Sequence, residues 1–198
     1  MSSRKLPSKY ENPVDLFLIN IAEAINPLFY KLGFTANGIT TLSLIFGVLF
    51  NYYYYHKKYT LASYMMIISY FFDCMDGNFA RTYKMQSKFG DYYDHIKDYI
   101  VIFVFLYFLY HNNTVSKKYK LNGFIIGLLI VVCVMIYVGC QEKYLAKLKK
   151  NTHIETSEIL NTFSGMCENT NNLSYIKYLG TGTFNLYLFL FIYLHNFQ

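Results

Sequence analysis

Asp73, Asp76, Asp91, Asp94 and Asp98 are five of the chain's twelve acidic residues, and they fall within 26 positions flanked by apolar segments. A carboxylate at hydrocarbon depth costs about 2.5–3.5 kcal/mol at a helix centre on insertion scales, so such a cluster needs a compensating partner. Oxygen-only ligands suit a hard divalent cation such as Mg²⁺ or Mn²⁺. On a helix, Asp73 and Asp76 are three apart and share a face; Asp94 and Asp98 are four apart and share a face on the next helix. A short turn near residues 85–87 makes these helices antiparallel neighbours, so the two pairs converge. Four carboxylates can hold two ions a few ångströms apart, the arrangement used for in-line phosphoryl displacement.

The elements that must position these groups read as membrane helices. Hydrophobic residues make up 54% and charged residues 15% of the 198 positions, against about 25% charged in soluble domains. Apolar segments of near 20 residues, the length a bilayer core requires, run at about 37–55, 60–84, 87–110, 121–140 and 178–194. The expected fold is all-α: a polytopic membrane helix bundle of five to six transmembrane helices. Residues 1–34 form a polar leader and an interfacial amphipathic helix; residues 35–198 form the transmembrane domain carrying the 73–98 cluster. Residues 14–30 contain Asp15, Asn20, Glu23 and Asn26, too polar to span, and read as the interfacial helix. Pro27 should end or bend it. Residues 151–176 are polar and read as a loop with one short helix.

Positive charge orients the bundle. With the N-terminus in the cytoplasm, twelve of the eighteen Lys and Arg residues lie inside, Lys97 among them, five lie outside and Lys177 is left uncounted. The acidic cluster then faces the cytoplasm, from the endoplasmic reticulum in a eukaryote or the plasma membrane in a prokaryote. The net charge of +6 suits anionic lipid heads. The basic residues form no single stripe, which speaks against a nucleic-acid binder. The four cysteines show no C-x-x-C pair; three lie in apolar stretches, and disulfides are not implied. The polar N-terminus is no signal peptide.

Around the aspartates, Gly77 and Ala80 lack bulk. They permit either close approach of a ligand to the backbone or close helix packing. Arg81, one turn on, can pair with a phosphate bidentately or anchor the helix end. Lys84 and Lys88 read as anchors or lipid-head contacts. Asp91 reads as a solvated first-turn residue and His95 as a hydrogen-bonding bystander. His56, His111, His153 and His195 take no role.

Asp73, Asp76, Gly77, Ala80, Arg81, Gly90, Asp94 and Asp98 complete the pattern D-x-x-D-G-x-x-A-R-x8-G-x3-D-x3-D. The chain thereby resembles the CDP-alcohol phosphotransferases, integral membrane enzymes of phospholipid synthesis. Residues 35–40 resemble the family's Pro-Asn-x-x-Thr segment, with Ala36 in place of the proline. The resemblance implies transfer of a substituted phosphate from a CDP-linked donor, CDP-diacylglycerol or a CDP-amino-alcohol, to an alcohol acceptor with release of CMP. It implies metal ligands at Asp73, Asp76 and Asp94, and a general base at Asp98 that shares in metal binding. Contacts to the cytidine diphosphate fall to Asn37, Thr40, Gly77, Ala80 and Arg81, and the cofactor is two Mg²⁺ or Mn²⁺ ions. A homodimer follows from the resemblance alone. Two other readings are a catalytically inactive relative and a divalent-cation transporter. The latter should carry its carboxylates near mid-membrane, often in repeated halves, and no repeat is present.

Overall fold

The computed structural model describes residues 4–149, 162–167 and 169–197. Among them there are helices and no strands. The expected polar loop falls partly outside the described residues, which resume at position 162 with short 3₁₀ turns.

The first helix, α1 (Pro13–Lys31), starts where the Asn12 side chain accepts from the Val14 amide at 3.0 Å, with proline in its first turn. It continues through Pro27 to Lys31 rather than ending there. The chain then turns by 114° into α2 (Ala36–Tyr55). Gly33, at φ 81°, closes α1, with the Phe34 amide reaching back to the Phe29 carbonyl. That conformation favours glycine. Thr35 caps α2 by accepting from the Gly38 amide. α3 (Tyr59–Thr82) ends in the same kind of turn, with Lys84 at φ 57° and the Met85 amide bonded to the Ala80 carbonyl. Ser87 then caps α4 (Lys88–His111). α5 (Lys117–Lys149) follows, and the short α6 (Leu173–Ile176) and α7 (Thr181–Tyr193) complete the set.

α2 and α3 form the central pair, and α1 crosses α3. α4 packs on α2 instead of pairing closely with α3, as the short turn between them had suggested. The cause is local. Gly47 leaves a seat for Val101, whose Cγ2 would lie 2.7 Å from any added Cβ, and Asn51 donates to the Val101 carbonyl at 3.1 Å. α7 lies between α3 and α5, with Phe191 set directly over Gly123 of α5. One apolar core joins Phe50, Met66, Phe105 and Ile192; a second, under the acidic cluster, joins Ala22, Ile39, Met75 and Phe79.

Only α5, over Lys117–Leu148, is long and apolar enough by itself to cross a membrane among the described residues. α1 and α2 reach that measure together, as one bent pair. α7 has 13 residues, about 20 Å of helix, against a hydrocarbon core of about 30 Å.

Further features differ from the sequence reading. The described leader is docked, not solvated: Leu6, Glu11 and Asn12 are buried. Arg4 pairs with Glu23 at 2.8 Å, Lys5 reaches Glu142 at 2.6 Å, and Tyr137 donates to the Tyr10 carbonyl. Burial pushes the Glu11 carboxyl up, and Arg4 and Arg81 hold it back in part. Cys140 and Cys167 form a disulfide across 27 positions, with Cα atoms 4.9 Å apart. Their separation in sequence carries no signal of this, because the fold of the intervening chain decides it.

On α1 the amphipathic pattern is turned about. Asp15 and Asn26 face the protein: Asp15 accepts from Tyr70 and from Thr181, and Asn26 donates to Asn78 at 2.7 Å. Its exposed face carries Phe17, Ile21 and Leu28.

Candidate metal and phosphate site

The last turns of α3 and the first turns of α4 bring Asp73, Asp76 and Asp94 together. One carboxylate oxygen from each lies within 4.8 Å of the others. Asp76 is buried and oriented by Thr40, whose hydroxyl donates to Asp76 Oδ2 at 2.6 Å. Asp98 is the most open of the four aspartates, its side chain 54% exposed. These carboxylates fit a hard cation: they offer oxygen donors only, and three of them converge on one point.

Lys97 stands in the middle of this group. Its side chain is 2% exposed, and its ammonium pairs with Asp73, lies 3.1 Å from Asp94 Oδ1 and 3.0 Å from Asp98 Oδ1, and donates to Ser43 Oγ at 3.0 Å. Counting lysines by side of the membrane had made it one more flanking charge. The structure makes it the internal counter-ion of the cluster. The available signal was its place between Asp94 and Asp98, where i−3 and i+1 carboxylates bracket it.

The remaining expected residues surround the cluster. The Arg81 guanidinium folds against Gly77, with Nη1 3.2 Å from where a Cβ would stand, so the small residue makes room for the arginine. Glu11 and Asp76 are its acidic neighbours. Ala80 packs half-buried in the lower core. Asn37 Oδ1 would sit 2.9 Å from a Cβ on Gly90, so the glycine lets the start of α4 meet α2. Thr40 lies beneath the cluster, buried and bonded to Asp76 and to the Ala36 carbonyl. Asp91 and His95 approach to 3.7 Å on the flank of α4.

A converging aspartate cluster on two consecutive helices could hold a metal ion, and an arginine on a glycine seat lies beside it. The chain belongs to the CDP-alcohol phosphatidyltransferase family, whose sequence model matches residues 34–195. It is therefore a phosphotransferase of phospholipid synthesis in general kind, of a membrane-associated, divalent-cation-using group. No curated protein and no solved structure matches the chain.

Proposed function

We propose that this chain is a polytopic membrane enzyme that transfers a substituted phosphate from a CDP-linked donor to an alcohol acceptor and releases CMP. The observation that carries the proposal is the convergence of Asp73, Asp76 and Asp94 in a chain of this family. The donor is CDP-diacylglycerol or a CDP-amino-alcohol. The acceptor is a small polyol or amino alcohol in the first case and a diacylglycerol in the second.

Asp73, Asp76 and Asp94 would hold Mg²⁺ or Mn²⁺, with Asp98 sharing. The cation supplies charge neutralisation to the diphosphate and to the leaving CMP. Arg81 receives the phosphate oxygens in a bidentate pair. Asn37, Gly77 and Ala80 border the nucleotide, and Thr40 serves that border by fixing Asp76. Asp98, open to the exterior of the bundle, takes the proton from the acceptor hydroxyl as its oxygen attacks the β-phosphorus. The bond from that phosphorus to the CMP oxygen breaks, and CMP leaves with the electron pair. No covalent enzyme intermediate is needed.

The membrane setting is supported by the outward faces of the helices. Phe17 on α1, Val48 on α2, Phe103 and Tyr107 on α4, and Leu128 and Leu129 on α5 are exposed large apolar groups. Large apolar groups exposed on four helices call for a partner phase, and lipid is the one the family uses. We place the acidic end at the cytoplasmic face, by the excess of lysine and arginine there. The homodimer is part of the same reading.

The test is release of radiolabelled CMP from CDP-diacylglycerol by the detergent-purified chain with Mn²⁺ or Mg²⁺. Inositol, glycerol 3-phosphate and serine serve as acceptors, with CDP-choline and CDP-ethanolamine tried on diacylglycerol. Metal-dependent turnover with one pair, abolished in Asp98→Asn, supports the reading. One observation favours an inactive relative instead: the Lys97 ammonium lies among the proposed ligands. Absence of both turnover and cytidine-diphosphate binding would favour it, whereas binding without turnover would point to an acceptor outside this panel.

A further inference from the structure

We infer that Lys97 is the second cation of this site, so that the chain binds one divalent ion where its four carboxylates alone could hold two. The inference rests on the metal-site reading above. Three of the four aspartates give an oxygen to the ammonium: Asp73, Asp94 Oδ1 and Asp98 Oδ1. Asp76 alone does not; its Oδ2 is committed to Thr40. The cluster is thus divided. The Asp76 side stays open to an ion shared with Asp73 and Asp94, and the share in metal binding proposed above for Asp98 falls instead to a charge that belongs to the chain.

Two features fix the ammonium there. Its side chain is 2% exposed, and its fourth contact, Ser43 Oγ, is itself held by the α2–α3 seam, where Ser43 also donates to the Ser69 carbonyl at 2.9 Å. An ion arriving between Asp94 and Asp98 would have to displace this charge from its carboxylates, and an unpaired buried charge is strongly unfavourable. By contrast, an ion at Asp73, Asp76 and Asp94 finds in Asp76 a carboxylate that gives no oxygen to Lys97. Lys97 then has a task besides holding the carboxylates together. Its fixed charge stands where a second ion would meet the Asp98 side of the site.

The experiment is Mn²⁺ titration of the full chain in detergent, read by the electron paramagnetic resonance of free Mn²⁺, with CMP release followed in parallel. The unaltered chain should saturate at one Mn²⁺ per chain. Lys97→Met, which keeps the stem and removes the charge, should take up a second. Lys97→Gln serves as the second variant, and thermal unfolding identifies which variants fold. Two ions in the unaltered chain overturn the inference while an active chain leaves the transferase reading intact. Folded variants that remain at one ion also overturn it. Neither Mn²⁺ binding nor turnover in the unaltered chain overturns both.

Discussion

The Thr40 hydroxyl and Asp76 Oδ2 are 2.6 Å apart, so α2 sets the rotamer of a carboxylate that belongs to α3. Because Asp76 is buried and receives nothing from Lys97, Thr40 is its positioning partner within the cluster. Thr40→Val keeps the shape and removes the donor. Loss of such a supporting hydrogen bond costs about 10–100-fold in metal affinity or activity. We expect that loss in Mn²⁺ affinity and in CMP release, with recovery in Thr40→Ser.

Glycines on α5 discriminate contact from packing. A Cβ at Gly139 would run into the carbonyl of Phe163, which is backbone and cannot rotate away. A Cβ at Gly127 would meet Tyr187 Cε1 at 3.5 Å, an ordinary contact. Gly139→Ala should cost about 1–3 kcal/mol as overpacking. Gly127→Ala should be neutral or gain up to about 1 kcal/mol from the helix preference for alanine. Thermal unfolding of the two variants in one detergent checks the pair.

The disulfide closes 27 positions of chain. Loop-closure entropy puts its contribution at about 3–4 kcal/mol. Cys140→Ser, or reduction of the unaltered chain, should lower the unfolding temperature, and the variant should no longer respond to reductant. An unchanged melting curve in both would contradict the closure.

His195 gives the stability a pH dependence. Its ring is enclosed by Tyr54, Tyr59, Tyr119 and Phe191, and burial pushes the imidazole down to about 4. The unfolded chain therefore binds a proton below about pH 6.5 that the folded chain refuses until about pH 4. Stability from this group is fully present above pH 6.5 and falls as pH drops through that window, by up to about 3 kcal/mol. Melting temperature measured from pH 7.5 to 4.5 should fall in the unaltered chain and fall less in His195→Phe.

The aspartates were legible because helical spacing is a local rule: residues three and four apart share a face wherever the helix goes. Lys97 was not. A lysine at a membrane helix end obeys the flanking rule equally well whether it points at lipid heads or at Ser43, and only the packing of α4 on α2 decides. Seating α4 there depends on Gly47, whose missing side chain has no pattern of its own, and on Gly90, whose place in the motif does not say that Asn37 would meet it. The polar residues of α1 were legible as one stripe, but the side of the helix that meets the protein was not. Asp15 finds its partners 55 and 166 positions away, so only the tertiary packing decides which way the stripe faces. Cys140 and Cys167 were hidden for the same reason, since nothing local joins them.

The Cys140–Cys167 bond makes the two ends of the intervening stretch a single covalent unit. A protease that cuts anywhere between these residues leaves one molecule, in which α7 stays tied to α5 through sulfur. The halves separate only on reduction, so the nicked chain should migrate intact on a non-reducing gel and as two fragments on a reducing one. For this chain, a single backbone break there is a change of topology and not a loss of a part.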